Sequence, residues 1–274
     1  MEILIYEKSW LNIPLPNVCH QPARNLPDAS FYDKFYKTFW ETGADFDRGW
    51  YEYKIAISDW IHQNILLPRQ NLNQKQSTIL SLGAGTGLIE REWLEKKYDV
   101  HLQECQSASL DLFKKNFPNI KTYIGDARSI DCENNAYDII VFIALDYVFD
   151  RFGYKKLLTE TNRILSPGGI AICYCMSNIS PKMILSFLWR TIFKKKQQGI
   201  LWGYARSLAE HVKIGRQVGL VPQSIYLLQR QINSETGGLI QVSRREPRFW
   251  GTRLANASDV VVEFIKPLHN SRKV

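Results

Sequence analysis

From Phe31 onward the chain repeats aromatic residues three and four apart: Phe31, Tyr32, Phe35, Tyr36, Phe39 and Trp40. That spacing lines them along one face of a helix. A second helical stretch, 51–66, carries Ile55, Ile57, Trp60, Ile61 and Ile65. Short apolar runs then alternate with helical stretches. The runs predict strands at 77–82, 100–104, 121–124, 137–144 and 169–175, with helices at 89–97, 107–117 and 154–165 between them. The run 137–144 is apolar almost throughout. Such strands, alternating with helices, predict a parallel sheet covered on both faces.

The pattern weakens at both ends. Pro14, Pro16, Pro22 and Pro27 predict an extended arm without regular structure before residue 31. After residue 178 the alternation stops. Residues 179–203 predict an inserted helix with a basic corner at Lys194, Lys195 and Lys196, followed by a helix at 207–218 and a strand at 224–229. A long connection, 232–258, precedes a last strand at 259–266. The expected layout is an arm and aromatic helical lid over residues 1–70. The core then covers 71–274, with insertions at 179–204 and 232–258.

Composition fits a folded globular chain: 274 residues, 45% hydrophobic and 23% charged. The net charge of +8 is unevenly spread. Residues 1–181 hold 19 Lys/Arg against 22 Asp/Glu, while residues 182–274 hold 16 against 5, so the whole basic excess lies in the last third. Such a region is suited to meeting something anionic. The cysteines are Cys19, Cys105, Cys132, Cys173 and Cys175; no two form a CxxC pair, and they supply no zinc ligand set. Cys173 and Cys175, two apart in an apolar run, share one strand face. Reduced, buried thiols in a cytoplasmic protein are the expectation, with no metal site. The amino terminus, with Glu2 and Glu7, lacks a secretory pattern. The apolar stretch 183–193 contains Arg190 and is too short to span a bilayer.

The chemistry concentrates at Gly83, Ala84, Gly85 and Gly87, where an apolar strand runs into alternate glycines and a helix follows. Glycine lets the backbone turn tightly and lets a ligand approach the main chain, and the helix start presents free N–H groups. The spacing is GxGxG, with its third glycine one place earlier than in a dinucleotide fingerprint, which disfavours an oxidoreductase. Glu104 ends the second core strand, where an acid accepts hydrogen bonds from two ribose hydroxyls. Asp126 ends the third, where an acid can accept from an adenine amino group.

With these motifs in order, the chain resembles the class I S-adenosylmethionine-dependent methyltransferases, in particular those acting on small molecules. The resemblance covers about residues 77–175 and continues more weakly through 207–229 and 259–266. It implies an α/β, doubly wound, Rossmann-like sheet: seven mostly parallel strands, helices on both faces and an antiparallel last strand. It also implies S-adenosylmethionine as the cofactor. Gly83, Ala84, Gly85 and Gly87 would line the methionine part, Glu104 would hold the ribose, and Cys105 would flank the adenine. Asp126 and Ala127 would hold the adenine edge, while Phe142, Ile143 and Ala144 would pass under the sulfonium. No Asn-Pro-Pro-Tyr follows the fourth strand, which weakens any reading as a methyltransferase of nucleic-acid bases.

The acceptor side is less legible. Asp146 and Tyr147 follow the fourth strand and are candidates for contacting the acceptor. Tyr32 and Tyr36 on the aromatic face, with Arg244, Arg248 and Trp250 in the basic tail, are candidates for binding it. Arginines among aromatic residues can grip a carboxylate or phosphate and stack on a ring. The resulting expectation is methyl transfer to oxygen or nitrogen of a small-molecule or peptide-like acceptor, anionic if those arginines take part. The alternatives are an RNA methyltransferase using the basic tail, which the lack of a separate RNA-binding module disfavours, and a catalytically inactive cofactor-binding scaffold.

Overall fold

The computed structural model describes residues 3–11, 13–15, 28–42, 48–73, 76–175, 179, 185, 188–189, 199–231, 238–245 and 259–268. Its centre is set by strand alternation. The core strands are β4 (Thr78–Leu82), β5 (Asp99–Glu104), β6 (Thr122–Ile124), β7 (Tyr137–Ile143) and β8 (Leu165–Cys175). β10 (Val221–Gln231), β11 (Gly238–Arg245) and β12 (Asp259–Ile265) complete the sheet. Successive side chains of a strand face opposite ways. Leu80, Leu82, Ile140, Phe142, Cys173, Cys175 and Val262 thus enter one core, and Ile79, Ile139, Val141, Ile172, Tyr174 and Val261 enter the other.

The strands form one eight-stranded sheet in the order β11-β10-β12-β8-β7-β4-β5-β6. β4 lies parallel to β5 and β7, β5 to β6, and β7 to β8. β12 runs antiparallel between β8 and β10, as expected of the last strand. The expected seventh strand is joined by an eighth, β11, which pairs with β10 as a hairpin at the sheet edge. It falls inside the stretch read from sequence as an irregular connection, because an edge strand needs only one partner and carries a weak apolar pattern.

The first core is covered by α6 (Arg151–Ile164) and α7 (Leu208–Gln217), through Tyr154, Leu157, Leu158 and Val212. Both begin at an expected cap. Asp150 accepts from the Gly153 N–H at 2.6 Å, and Ser207 from the Glu210 N–H at 3.3 Å. The Lys266 ammonium bonds the Asn162 and Leu165 carbonyls at 2.7 Å, satisfying the carboxyl end of α6. The second core is covered by α2 (Arg48–Ile61), which continues through a π turn at His62–Leu66 into α3 (Leu67–Asn73), and by α4 (Leu88–Glu95). Tyr53, Ile57, Trp60 and Ile61 of α2 pack on this face of the sheet, so this helix is built into the core. α5 (Asp111–Asn116) follows a single 3-10 turn at Ala108–Leu110.

Two stretches depart from the sequence reading. The proline-rich arm contains β1 (Ile3–Glu7) and a small hairpin of β2 (Ser9–Trp10) and β3 (Ile13–Pro14), and Leu15 is fully buried. Prolines discourage strands only where a ladder N–H is needed, and Pro14 sits at the end of a two-residue strand. β1 pairs antiparallel with β9 (Ile200–Ala205), in a stretch partly read as inserted helix. With α1 (Ala29–Glu41), these strands build a cap around Leu11, Leu15, Phe31, Phe35, Phe39 and Trp202. The Trp40 indole N–H reaches the Ala108 carbonyl at 3.0 Å and ties the cap to the sheet. Among the described residues, no helix is long and apolar enough to cross a membrane.

Candidate active site

The carboxyl ends of β4, β5, β6 and β7 open into a cavity of about 620 Å³ beneath the cap. The sheet order changes direction here: chain order runs one way from β4 to β5 and β6, and the other way to β7 and β8. Open parallel sheets bind ligands at such a switch.

The floor begins with the glycines. Gly83, Gly85 and Gly87 all adopt left-handed φ, at +65°, +61° and +74°. Space matters as well as φ. A Cβ on Gly87 would lie 2.6 Å from the Phe113 ring, and one on Gly85 would lie 3.3 Å from the Tyr36 hydroxyl. The Gly85 N–H donates to the Glu104 carboxylate at 2.7 Å, and the Cys105 N–H to its other oxygen at 2.7 Å. Burial raises the Glu104 carboxyl above its usual range, against the pull of those two N–H groups. A carboxylate has about four acceptor positions, so two remain for a vicinal diol.

Gln103, one residue earlier, locks three loops together. Its side chain accepts from the Gly83 N–H at 3.2 Å and donates to the Gly125 carbonyl at 2.7 Å, while its backbone carbonyl accepts from Gly83 and Ala84. Asp126, after β6, is held below its ordinary value by hydrogen bonds from Arg128. The nearest Arg128–Asp126 contact is 2.7 Å, and the guanidinium lies over Phe149 at 4.8 Å.

The floor closes with Ile143, Ala144, Leu145 and Tyr147, and Ala144 has φ +57°. A left-handed non-glycine residue is strained by about 1–2 kcal/mol. Such strain gathers at functional sites. The roof is aromatic. Trp10 stacks on Phe35 at 4.4 Å and meets Tyr36 and Tyr32 edge-on at 5.7 and 6.0 Å. Burial raises the hydroxyl pKa of both tyrosines, and pushes Tyr147 up to about 12. All three stay protonated at neutral pH. Lys54 of α2 also lines the cavity, with its ammonium over Trp50 at 4.9 Å.

Ten of the sequence candidates line this one cavity on the floor side: Gly83, Ala84, Gly85, Glu104, Cys105, Asp126, Ala127, Ile143, Ala144 and Tyr147. Tyr32 and Tyr36 line it from the roof. Others do not reach it. Gly87 caps the start of α4 beside Phe113. Phe142 points into the first core with no exposure, because its neighbour Ile143 takes the cavity side of the strand. Asp146 is fully buried beneath the floor and faces His211. Arg244 lies on the outermost strand, where it donates to Ser224 at 2.9 Å and covers Tyr226. Arg248 and Trp250 lie outside the described residues, as do the basic corner Lys194–Lys196, Cys19 and His20. Among the described residues, no cavity-lining group comes from the basic last third. Sequence reasoning missed Gln103, Lys54, Arg128 and Trp10. None of them stood out in the sequence: even Gln103 sits in a strand, 99–104, where Val100 and Leu102 already alternate with polar residues.

The floor fits S-adenosylmethionine in kind. It offers a carboxylate with open acceptor positions, a glycine cradle that a side chain would fill, and a second carboxylate next to a small buried residue, Ala127. The methyltransferase-domain family matches residues 79–169. An uncharacterized methyltransferase-like protein of Schizosaccharomyces pombe is 31% identical over 134 residues, covering 48% of this chain and 49% of that protein. An uncharacterized methyltransferase of Mycobacterium bovis is 27% identical over 124 residues, covering 45% of this chain and 46% of the relative. The chain thus spans about half the length of the curated relatives it matches. Magnesium protoporphyrin IX methyltransferase from Synechocystis, solved with S-adenosylhomocysteine bound, shares the fold with a TM-score of 0.56. It is 8% identical and covers 87% of this chain and 97% of its own. An S-adenosylmethionine-dependent methyltransferase of Thermotoga maritima superposes with a TM-score of 0.51 at 16% identity, covering 79% and 99% of the two chains. Residues 79–169 thus match the methyltransferase-domain family, on a fold shared with solved S-adenosylmethionine-dependent methyltransferases.

Proposed function

We propose that the cavity binds S-adenosylmethionine on its floor and that the protein transfers the methyl group to an oxygen or nitrogen of a small molecule held under the aromatic roof. The observation that carries this is the joining of two surfaces in one cavity: the floor of the glycines, Glu104 and Tyr147, and the roof of Trp10, Tyr32 and Tyr36. Its volume, about 620 Å³, falls within the usual range for small-molecule sites, about 300–1,000 Å³.

S-adenosylmethionine, when bound, supplies a methyl group on a sulfonium that is already a good leaving group. The residues of this chain have to bind, orient and keep water out. Glu104 would accept from the ribose hydroxyls and Asp126 from the adenine amino group. The tyrosines and Trp10 would shield the reacting centre and align the acceptor. Alignment alone can supply much of the acceleration of a displacement reaction. The protonated tyrosines are hydrogen-bond donors, so the acceptor would be a nucleophile that needs no strong base.

Calorimetric titration with S-adenosylmethionine, S-adenosylhomocysteine and NAD tests the cofactor half. The two sulfur compounds should bind and NAD should not. Gly85→Arg should abolish binding by filling the cradle, and Glu104→Gln should weaken it about tenfold, the loss of one charge-assisted hydrogen bond at roughly 1.4 kcal/mol. Binding of NAD alone would overturn the reading.

A further inference from the structure

Below the cavity floor lies a second cluster that the methyl-transfer reading does not use. Cys173 and Cys175 project from β8 toward α6 and α7, with their sulfurs 3.3 Å apart. His211 of α7 brings Nδ1 to 3.8 Å from the Cys175 sulfur. Tyr154 of α6 places its hydroxyl 2.9 Å from that nitrogen and 3.4 Å from the Cys173 sulfur. All four side chains are at most 1% exposed. The two sulfurs and the imidazole nitrogen lie within 4.8 Å of one another.

We propose that Cys173, Cys175 and His211 bind a thiophilic metal ion, zinc by donor type, with the Tyr154 hydroxyl in the fourth position. Thiolate and imidazole are the usual ligands of zinc. Its bond lengths set tetrahedral ligand atoms about 3.3–3.8 Å apart. The sulfurs stand 3.3 Å apart where a tetrahedral ion needs about 3.8 Å, the sulfur–nitrogen and sulfur–oxygen contacts of 3.8 and 3.4 Å lie close to the roughly 3.5 Å it needs, and the 2.9 Å nitrogen–oxygen contact must open toward about 3.3 Å, so each pair moves by about half an ångström or less.

A second observation points the same way. Asp146 is fully buried; its own N–H, the Tyr147 N–H and the Cys175 thiol approach its carboxylate without a well-formed hydrogen bond, and His211 Nε2 has no partner among the described residues. The two groups face each other at 3.6 Å. Buried polar atoms are rarely left so. With the metal on Nδ1, the imidazole proton sits on Nε2 and points at Asp146, the carboxylate–histidine–metal arrangement that orients ligand histidines.

Charge also closes. The zinc ion balances two thiolates, and the buried Arg206 offsets part of the cost that burial puts on a charged Asp146. Each thiol loses its proton as its sulfur bonds the metal, so two protons are released per ion and no oxidant is needed. The ion would tie β8 to α6 and α7. Through Asp146 it would also brace the loop that carries Leu145 and Tyr147 into the cavity.

The test uses the whole chain, isolated under reducing conditions without chelator. Elemental analysis should find about one zinc per chain. Cobalt(II) added to the metal-depleted protein should give a thiolate-to-cobalt charge-transfer band that saturates at one equivalent and is displaced by zinc. Cys175→Ser should lose the band, and Asp146→Asn should weaken cobalt binding about 10–100-fold, the range for an outer partner of a ligand histidine. S-adenosylhomocysteine binding, measured on the same samples, checks that each variant is folded. Isolated protein without zinc that also gives no charge-transfer band with cobalt overturns the proposal. So does a band that survives in Cys175→Ser.

Discussion

Glu90, in the first turn of α4, is 2% exposed and accepts from the Ser81 hydroxyl at 2.5 Å beneath the glycine loop. Burial pushes its carboxyl up to about 7, from an ordinary value of 4.5. A group whose pKa is higher in the fold than in the unfolded chain stabilises the fold fully below the unfolded value, and loses that contribution as pH rises through the folded value. The wild type should therefore lose stability between about pH 4.5 and pH 7, by on the order of 3 kcal/mol. Glu90→Gln should lose none of it. Chemical denaturation of both proteins at pH 5 and pH 8 checks this: a stability difference that does not change with pH would show that Glu90 titrates normally. Ala144 invites the opposite kind of substitution. Its φ of +57° suits glycine, so Ala144→Gly should stabilise the fold by about 0.5–1 kcal/mol, read as a raised midpoint in urea. A lowered midpoint would mean that the Ala144 methyl packs better than its backbone is strained.

At the scale of elements, the cap has a buried cluster of its own, joined to the sheet only through loop residues such as Ala108 and Tyr147 among those described. Trp202 of β9 is 6% exposed and meets Trp10 at 5.1 Å and Phe31 at 6.1 Å, all within the cap cluster. Trp202→Ala should cost the cap about 3 kcal/mol. Because units of this kind open independently, amide exchange should quicken in α1 and β1 while β7, in the centre of the sheet, keeps its protection. Equal acceleration in β7 would show that cap and sheet unfold as one. A cap that opens on its own is suited to admitting a ligand to an otherwise covered cavity.

At the scale of the molecule, the two halves of the charge distribution separate from the site. Residues 182–274 carry the net positive charge, yet the cavity is lined by residues no later than Phe149 among those described. Binding a ligand to the floor should stabilise the whole chain by mass action. S-adenosylhomocysteine at about one hundred times its dissociation constant should add about 2.7 kcal/mol. For a protein of this size that raises the melting temperature by roughly 5–10 °C. An unchanged melting temperature at saturating ligand would mean equal affinity for the unfolded chain, which would argue against a formed site.

The sequence by itself determined the local facts. Strand and helix alternation is periodic along the chain, and Gly83, Gly85, Glu104 and Asp126 are recognisable because their chemistry depends on residue type and on a fixed place at a strand end. Parity was the first thing it left open. Phe142 and Ile143 are consecutive on a strand and must face opposite ways, and only packing on the sheet decides which one meets the cavity. Distance along the chain was the second. β1 finds its partner β9 nearly two hundred residues on, a pairing that no local pattern encodes. The same holds for His211, which stands 36 residues beyond Cys175. A spacing rule reads no ligand set there, because the set exists only once α7 has packed across β8. Periodicity and residue chemistry act over a few residues; long-range contacts are settled by which faces can be buried together.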